Sequence, residues 1–142
     1  MASKAHQLIL GVIARRMRIN GFEIVFFDGK SAMVSTTKLP IPPAIKKHRP
    51  DIIGINVSSK GICIGEAKTD LDLFSKRTKR QFTDYGNLFS KSNNLCSLII
   101  GIPESSEGKL KELLKELDLL YKENISYIWI PDEFLNSEED EV

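Results

Sequence analysis

Cysteine, histidine and tryptophan are scarce in this sequence. Its 142 residues include two cysteines, two histidines and one tryptophan. Cys63 and Cys96 each lie inside an apolar run, as small buried residues usually do. The scattered cysteines and histidines do not have the spacing of a zinc or iron–sulfur site. We therefore expect an intracellular, reducing location in the cytoplasm.

Long hydrophobic runs are missing as well. The apolar stretch over residues 8–13 is short and leads directly into Arg15 and Arg16, which does not match a secretory signal. Nothing in the sequence approaches the length of a membrane-spanning helix. We expect no contact with a membrane.

The net charge is close to zero, but the charges are unevenly distributed. The formal net charge is +1, yet residues 138–141 carry four negative charges, and residues 46–91 hold ten Lys or Arg against five Asp or Glu. A basic middle segment is compatible with a polyanionic partner, although local charge excess is common in soluble domains. We predict one domain over residues 1–132 and an acidic, disordered tail over residues 133–142.

Hydrophobic periodicity and turn residues predict the element order α-β-β-β-β-α-β-α-β. This order indicates an α/β fold with a mixed central β-sheet flanked by helices. Asp28-Gly29 predicts a hairpin between the first two strands, and the prolines of residues 38–49 predict a loop. Trp129, in the last strand, is expected in the core. The predicted helices cover residues 3–20, 70–90 and 105–124, and the predicted strands cover residues 22–27, 32–37, 52–57, 61–67, 95–100 and 125–130.

Three charged residues lie at the open end of the predicted hairpin of residues 52–67, opposite its turn. Asp51 opens its first strand, while Glu66 and Lys68 close the second. Because side chains alternate along a strand, Glu66 and Lys68 share one face and Ala67 points away. Antiparallel pairing would place Asp51 across from them. Charges at the end of a buried sheet are costly to desolvate unless they are paired or bound to a metal.

A magnesium ion would suit this arrangement. Mg²⁺ prefers a few hard oxygen ligands and keeps several waters. The carboxylates of Asp51 and Glu66 and the backbone carbonyl of Ala67 would supply three oxygens, and waters and a substrate phosphate would complete the shell. Lys68 would orient an attacking water and offset negative charge in the transition state. These roles predict the hydrolysis of a phosphodiester.

The same residues resemble a known motif. Pro50-Asp51, fourteen further residues and Glu66-Ala67-Lys68 are similar to the motif that names the PD-(D/E)XK nucleases, and Gln81-Phe82-Thr83-Asp84-Tyr85 resembles the Gln-x-x-x-Tyr motif of RecB-type branches. The resemblance implies a restriction-endonuclease-like core and a dependence on Mg²⁺ or Mn²⁺. It also implies that Gln81 helps to hold the lysine, the water or a phosphate, and that Tyr85 supports it.

Basic residues cluster on both sides of this motif and would bind the phosphates of a nucleic acid. For each one alone, a solvated surface charge is the simpler interpretation. The predicted nucleic-acid-binding residues are Lys46, Lys47, Arg49, Arg77, Lys79, Arg80 and Tyr85.

The sequence departs from the family in its first helix, which has no acidic residue. Many members place a glutamate or a histidine there as a further metal ligand or phosphate contact. His6 is a weak candidate for that role, although a solvated histidine is the simpler interpretation. Glu23, at the start of the first strand, is a second weak candidate, or else an ordinary surface residue.

The predicted function is that of a metal-dependent deoxyribonuclease, an endonuclease acting on structured or duplex DNA. Asp51, Glu66, Lys68 and Gln81 are its predicted catalytic residues. A small domain offers limited surface to a duplex, so by analogy with junction resolvases and restriction enzymes we expect a homodimer. Three alternatives stay open: an RNA-directed nuclease, a non-catalytic nucleic-acid-binding or assembly subunit, and a structural salt bridge between Lys68 and Asp51 or Glu66.

Overall fold

A central mixed sheet with helices on both faces forms the fold, as seen in a computed structural model that describes residues 3–30 and 34–136. Within these residues five strands lie in the order β1-β2-β3-β4-β5. Strand β2 is antiparallel to its neighbours β1 and β3, and β3, β4 and β5 are parallel. The strands are β1 (Glu23–Phe27), β2 (Ile52–Ile55), β3 (Ile62–Ala67), β4 (Ser97–Pro103) and β5 (Ile125–Ile130); the helices are α1 (Lys4–Ile19), α2 (Lys76–Gly86), α3 (Glu107–Glu116) and α4 (Asp132–Asn136). The predicted α/β class with a mixed sheet is confirmed.

Helix α1 packs on one face of the sheet. Its first turn is capped by Ser3, whose side chain accepts a hydrogen bond from the backbone N–H of His6. The helix can approach β4 closely because Gly101 has no side chain: a Cβ there would lie 2.6 Å from Ile9 Cγ2 and 2.8 Å from Ile13 Cδ1. This contact sets the first helix directly against the middle of the sheet.

Helices α2 and α3 cover the opposite face. Phe82 and Tyr85 of α2 are fully buried there, together with Leu110 and Leu113 of α3. Both helices are crossovers between parallel neighbours, α2 between β3 and β4 and α3 between β4 and β5. The antiparallel β2–β3 hairpin and the following helix occupy the segment in which the sequence predicted the catalytic residues.

The predicted strand over residues 32–37 is wrong where the structure describes it. Residues 34–37 form turns and bends, while residues 31–33 lie outside the described part of the chain. Strand β1 pairs instead with β2, and the N–H of Phe27 donates to the carbonyl of Pro40 at 3.0 Å. A loop segment therefore occupies part of the edge at which the returning strand was expected.

Two helices are shorter than their apolar patterns suggest. The predicted helix over residues 70–90 divides into a 3₁₀ turn (Asp70–Asp72) and α2, which is capped by Ser75. The predicted helix over residues 105–124 ends at Glu116, and Asp118 follows with a φ of 59°, in the left-handed region. A residue in that conformation ends a helix, whatever hydrophobic spacing continues beyond it.

The last strands and the C-terminal segment also differ from the prediction. Strand β4 continues through Gly101 to Pro103, where it pairs with Ile130. Trp129 is 44% exposed, so its expected place in the core is wrong. Residues 133–136 belong to α4, whose Leu135 is buried against the α1 side of the core, so the predicted disordered tail does not begin at residue 133. Residues 137–142 lie outside the described residues.

The two cysteines are buried and free, as expected of small apolar side chains. Burial raises the pKa of the Cys63 thiol to about 12. None of the helices in the described part of the chain is long and apolar enough to cross a lipid bilayer.

Candidate active site

The register of the β2–β3 hairpin brings Asp51 and Glu66 together. Ile52 pairs with Gly65, so Asp51, one residue earlier, stands across from Glu66. Two hydrogen bonds link the pair: the N–H of Ala67 donates to Asp51 Oδ2 at 2.9 Å, and the N–H of Asp51 donates to Glu66 Oε1 at 3.2 Å. Each carboxylate is therefore oriented by the backbone of the opposite strand.

Lys68 is held by helix α2. Its Nζ donates to Gln81 Oε1 at 2.6 Å, while Glu66 Oε2 lies 3.9 Å away. A charge-assisted bond between an ammonium and a carboxylate usually closes to about 2.7–2.9 Å. The nearest polar partner of the Lys68 ammonium is thus the side-chain amide of Gln81. The resemblance implied that Gln81 would help to hold this lysine, the water or a phosphate. This geometry argues against a close structural salt bridge to Glu66.

The electrostatics of Glu66 are unfavourable for its charged form. Its side chain is 2% exposed. Burial and, next, the charge of Asp51 raise the pKa of Glu66 well above its usual range, and the attraction of Lys68 does not offset them. A divalent cation between the two carboxylates would favour their ionised forms.

The oxygen donors of the site fit a hard cation that needs few protein ligands. Asp51, Glu66 and Ala67 all border the same cleft, and Mg²⁺ is commonly held by one or two carboxylates with water completing its shell. Among residues 3–30 and 34–136, no three His, Cys, Asp or Glu side chains group in a way that could hold a metal ion. The protein would therefore supply few ligands, which suits magnesium better than zinc.

His6 reaches the same place from the first turn of α1. Its Nε2 lies 3.5 Å from Asp51 Oδ2, and its Nδ1 is buried without a hydrogen-bond partner. Interaction with the Asp51 carboxylate raises the pKa of His6. The helix that has no acidic residue thus brings a histidine to the carboxylates.

A cleft of about 600 Å³ opens over these residues. Three of the predicted basic residues line it: Lys47 and Arg49 from the loop before β2, and Arg77 from α2. Arg77 precedes Gln81 by one helical turn on α2. The cleft therefore combines a carboxylate pair with positive charge on two walls.

Other predicted site residues lie elsewhere. Lys79 forms an ion pair with Glu116 of α3 at 3.2 Å, and Tyr85 is fully buried, so it offers no surface to a nucleic acid. Glu23 pairs with Ile55, at the end of the β1–β2 pair away from Asp51, which places it outside the site. Lys46 and Arg80 are exposed but do not line the cleft.

Several cleft residues escaped sequence reasoning. Asp28, Asp72, Ser75 and Thr78 also line the cleft. The N–H of Asp28 donates to the carbonyl of Asp51 at 2.8 Å, and the hydroxyl of Thr78 donates to the carbonyl of Asp72 at 2.7 Å. Ser75, the N-cap of α2, is the signal in the sequence that could have placed Asp72, Ser75 and Thr78, because it fixes where α2 begins beside the cleft.

No family model, no curated protein and no solved structure matches this chain. Function is therefore inferred from the chemistry and geometry of the cleft.

Proposed function

We propose that this protein is a Mg²⁺- or Mn²⁺-dependent nuclease of the PD-(D/E)XK type, with a restriction-endonuclease-like core, that hydrolyses DNA phosphodiester bonds. One observation carries the proposal: Lys68 is bound by Gln81 and stays 3.9 Å from Glu66, beside two carboxylates that are oriented by backbone hydrogen bonds. A purely structural ion pair would close this gap, whereas a hydrolytic site needs room there for water and phosphate.

Each residue has a distinct task in this proposal. Asp51, Glu66 and the carbonyl of Ala67 would hold the metal ion, which supplies Lewis-acid stabilisation of the phosphoryl oxygens. Lys68 orients the attacking water and offsets charge as the pentacoordinate transition state forms. Gln81 keeps the ammonium in place, and His6 orients the carboxylate of Asp51. By resemblance, the products carry 5′-phosphate and 3′-hydroxyl ends.

The basic walls of the cleft support a nucleic-acid substrate. Lys47, Arg49 and Arg77 line the cleft without an ion pair among the contacts of the described residues. Cations in such positions neutralise phosphates and make binding salt-dependent. We propose structured or duplex DNA as the substrate and a homodimer as the unit that makes paired cuts.

A non-catalytic nucleic-acid-binding or assembly subunit is the second candidate. It is favoured by the small number of side-chain metal ligands in the described residues. Such a protein would use Lys47, Arg49 and Arg77 to hold DNA and would need no metal ion.

A cleavage assay separates these functions. Supercoiled plasmid, linear duplex, single strands, RNA and a four-way junction are incubated with Mg²⁺, Mn²⁺ or EDTA. Asp51→Asn and Lys68→Ala are compared with Glu23→Gln, a carboxylate change on the same sheet but outside the site. We expect metal-dependent cleavage that both site variants lose and Glu23→Gln keeps. Salt-sensitive binding without cleavage of any substrate would instead establish the binding subunit.

A further inference from the structure

A tight turn beside the cleft contains two consecutive lysines in an unusual conformation. Lys46 and Lys47 have φ angles of 53° and 70°, in the left-handed region that residues other than glycine, asparagine and aspartate rarely adopt. The flanking residues Ile45 and His48 close the turn with two backbone hydrogen bonds, of 2.6 and 3.0 Å. Successive left-handed residues are typical of two-residue hairpin turns, where Asn-Gly is preferred. Lysines in these places need support from the surrounding structure.

His48 provides such support by fixing the turn to helix α2. Its Nε2 lies 2.7 Å from Asp84 Oδ2, and its ring stands edge-on to Tyr85 with centroids 5.8 Å apart at an angle of 81°. Ile45, at the other end of the turn, packs against the core under α2. The turn is therefore attached to the helix that carries Gln81 and Arg77.

The consequence of this attachment is the position of Lys47. Lys47 lines the cleft, as does Arg49, the residue after His48. Asp51 follows two residues after Arg49, directly before strand β2. The contact between His48 and Asp84 therefore influences the positions of Lys47 and Arg49 relative to the carboxylates of the cleft.

We propose that His48 and Asp84 are positioning residues that fix the Lys46–Lys47 turn, so that Lys47 binds a phosphate group of the DNA beside the reacting one. This inference deepens the proposed function and rests on it. Neither His48 nor Asp84 lines the cleft. Their effect on binding passes through Lys47.

The test measures DNA binding separately from cleavage. A short fluorescein-labelled duplex, and a single strand of the same sequence, are titrated in EDTA at several salt concentrations. We expect Lys47→Ala to weaken binding several-fold and to lower the slope of log affinity against log salt by about one. His48→Ala should reproduce most of both changes. The double variant should bind no more weakly than the weaker single variant, since both remove the same phosphate contact.

Matched variants distinguish positioning from general damage. Lys60 has a φ of 60° in the turn at the far end of the β2–β3 hairpin, so Lys60→Ala removes an equivalent charge away from the cleft and should leave the salt slope unchanged. Asp84→Asn keeps a hydrogen-bonding group for His48 and should retain more binding than Asp84→Ala. Wild-type salt slope and affinity in His48→Ala, or full additivity with Lys47→Ala, would overturn the inference. Cleavage by the wild-type protein with Mg²⁺ is scored independently, so failure of the nuclease proposal is seen separately.

Discussion

Replacing Glu66 by glutamine should make the metal-free protein more stable while abolishing cleavage. Glu66 is buried, and desolvation together with the nearby Asp51 outweighs the attraction of Lys68, which is 3.9 Å away. Glutamine keeps the shape and the oxygen that accepts the N–H of Asp51, but it carries no charge. Each pH unit by which burial raises the pKa of a carboxyl costs the folded state about 1.4 kcal/mol once that carboxyl is ionised, so removing the charge should stabilise the metal-free protein by about 1–3 kcal/mol. For 142 residues, about 1–3 kcal/mol corresponds to a rise in Tm of roughly 3–10 °C.

The effect should depend on pH in a defined direction. Because the pKa of Glu66 is raised in the folded protein, the folded state holds this proton to a higher pH than the unfolded state, in which the carboxyl ionises at about pH 4.3. The free energy of unfolding of the wild-type protein therefore falls as pH rises from there through the folded-state pKa. Glu66→Gln lacks this loss, so its advantage should be small at pH about 4 and should grow until the wild-type carboxyl is fully ionised.

Thermal unfolding followed by circular dichroism in EDTA, across a pH series, measures this difference. Glu23→Gln, which changes an exposed carboxylate on strand β1 of the same sheet, is the control and should show no such trend. Added Mg²⁺ should raise the Tm of the wild-type protein but not that of Glu66→Gln. A variant that is less stable than wild type at every pH would show that Lys68 and Glu66 form a stabilising ion pair. The argument for a bound cation would then be refuted.

Three further predictions concern the scaffold around the site. Gly101→Ala should lower stability by about 1–3 kcal/mol in chemical denaturation, because the new Cβ meets Ile9 and Ile13 within 3 Å; an unchanged unfolding midpoint would contradict the close approach of α1. Leu135→Ala should cost about 2–4 kcal/mol by the same measurement, since Leu135 is buried against α1, whereas a neutral effect would mean that α4 does not dock there. Lys46→Gly should raise stability by about 0.5–1 kcal/mol, because glycine adopts a φ of 53° without steric cost; a loss of stability would refute the strained turn.

The β2–β3 hairpin was the part of the fold most accessible from the sequence. Two apolar runs joined by a short polar turn specify an antiparallel register, and the alternation of side chains then places Glu66 and Lys68 on one face. These predictions depend on local geometry, and the structure reproduces them as the contacts between Asp51, Glu66, Lys68 and Gln81.

Features decided by tertiary contacts were not accessible in this way. The edge of β1 is partly occupied by Pro40 rather than by a returning strand, and Asp118 ends α3 although leucines continue at helical spacing. Trp129 lies on the outermost strand in the described sheet, so its side chain remains partly exposed despite its apolar neighbours. The position of His6 beside Asp51 depends on how α1 packs against the sheet, and no local sequence pattern predicts that packing.

The contacts of the candidate site are close together along the chain. The side-chain hydrogen bonds of Asp51, Glu66 and Lys68 join residues only 13 to 16 positions apart, and the link between His48 and Asp84, 36 positions apart, encloses them. The entropy lost in closing such short loops is small. We therefore expect the hairpin and α2 to assemble early in folding, with β5 and α4 joining later. Changes in those late segments would then alter the unfolding rate of the protein while leaving the geometry of the cleft intact.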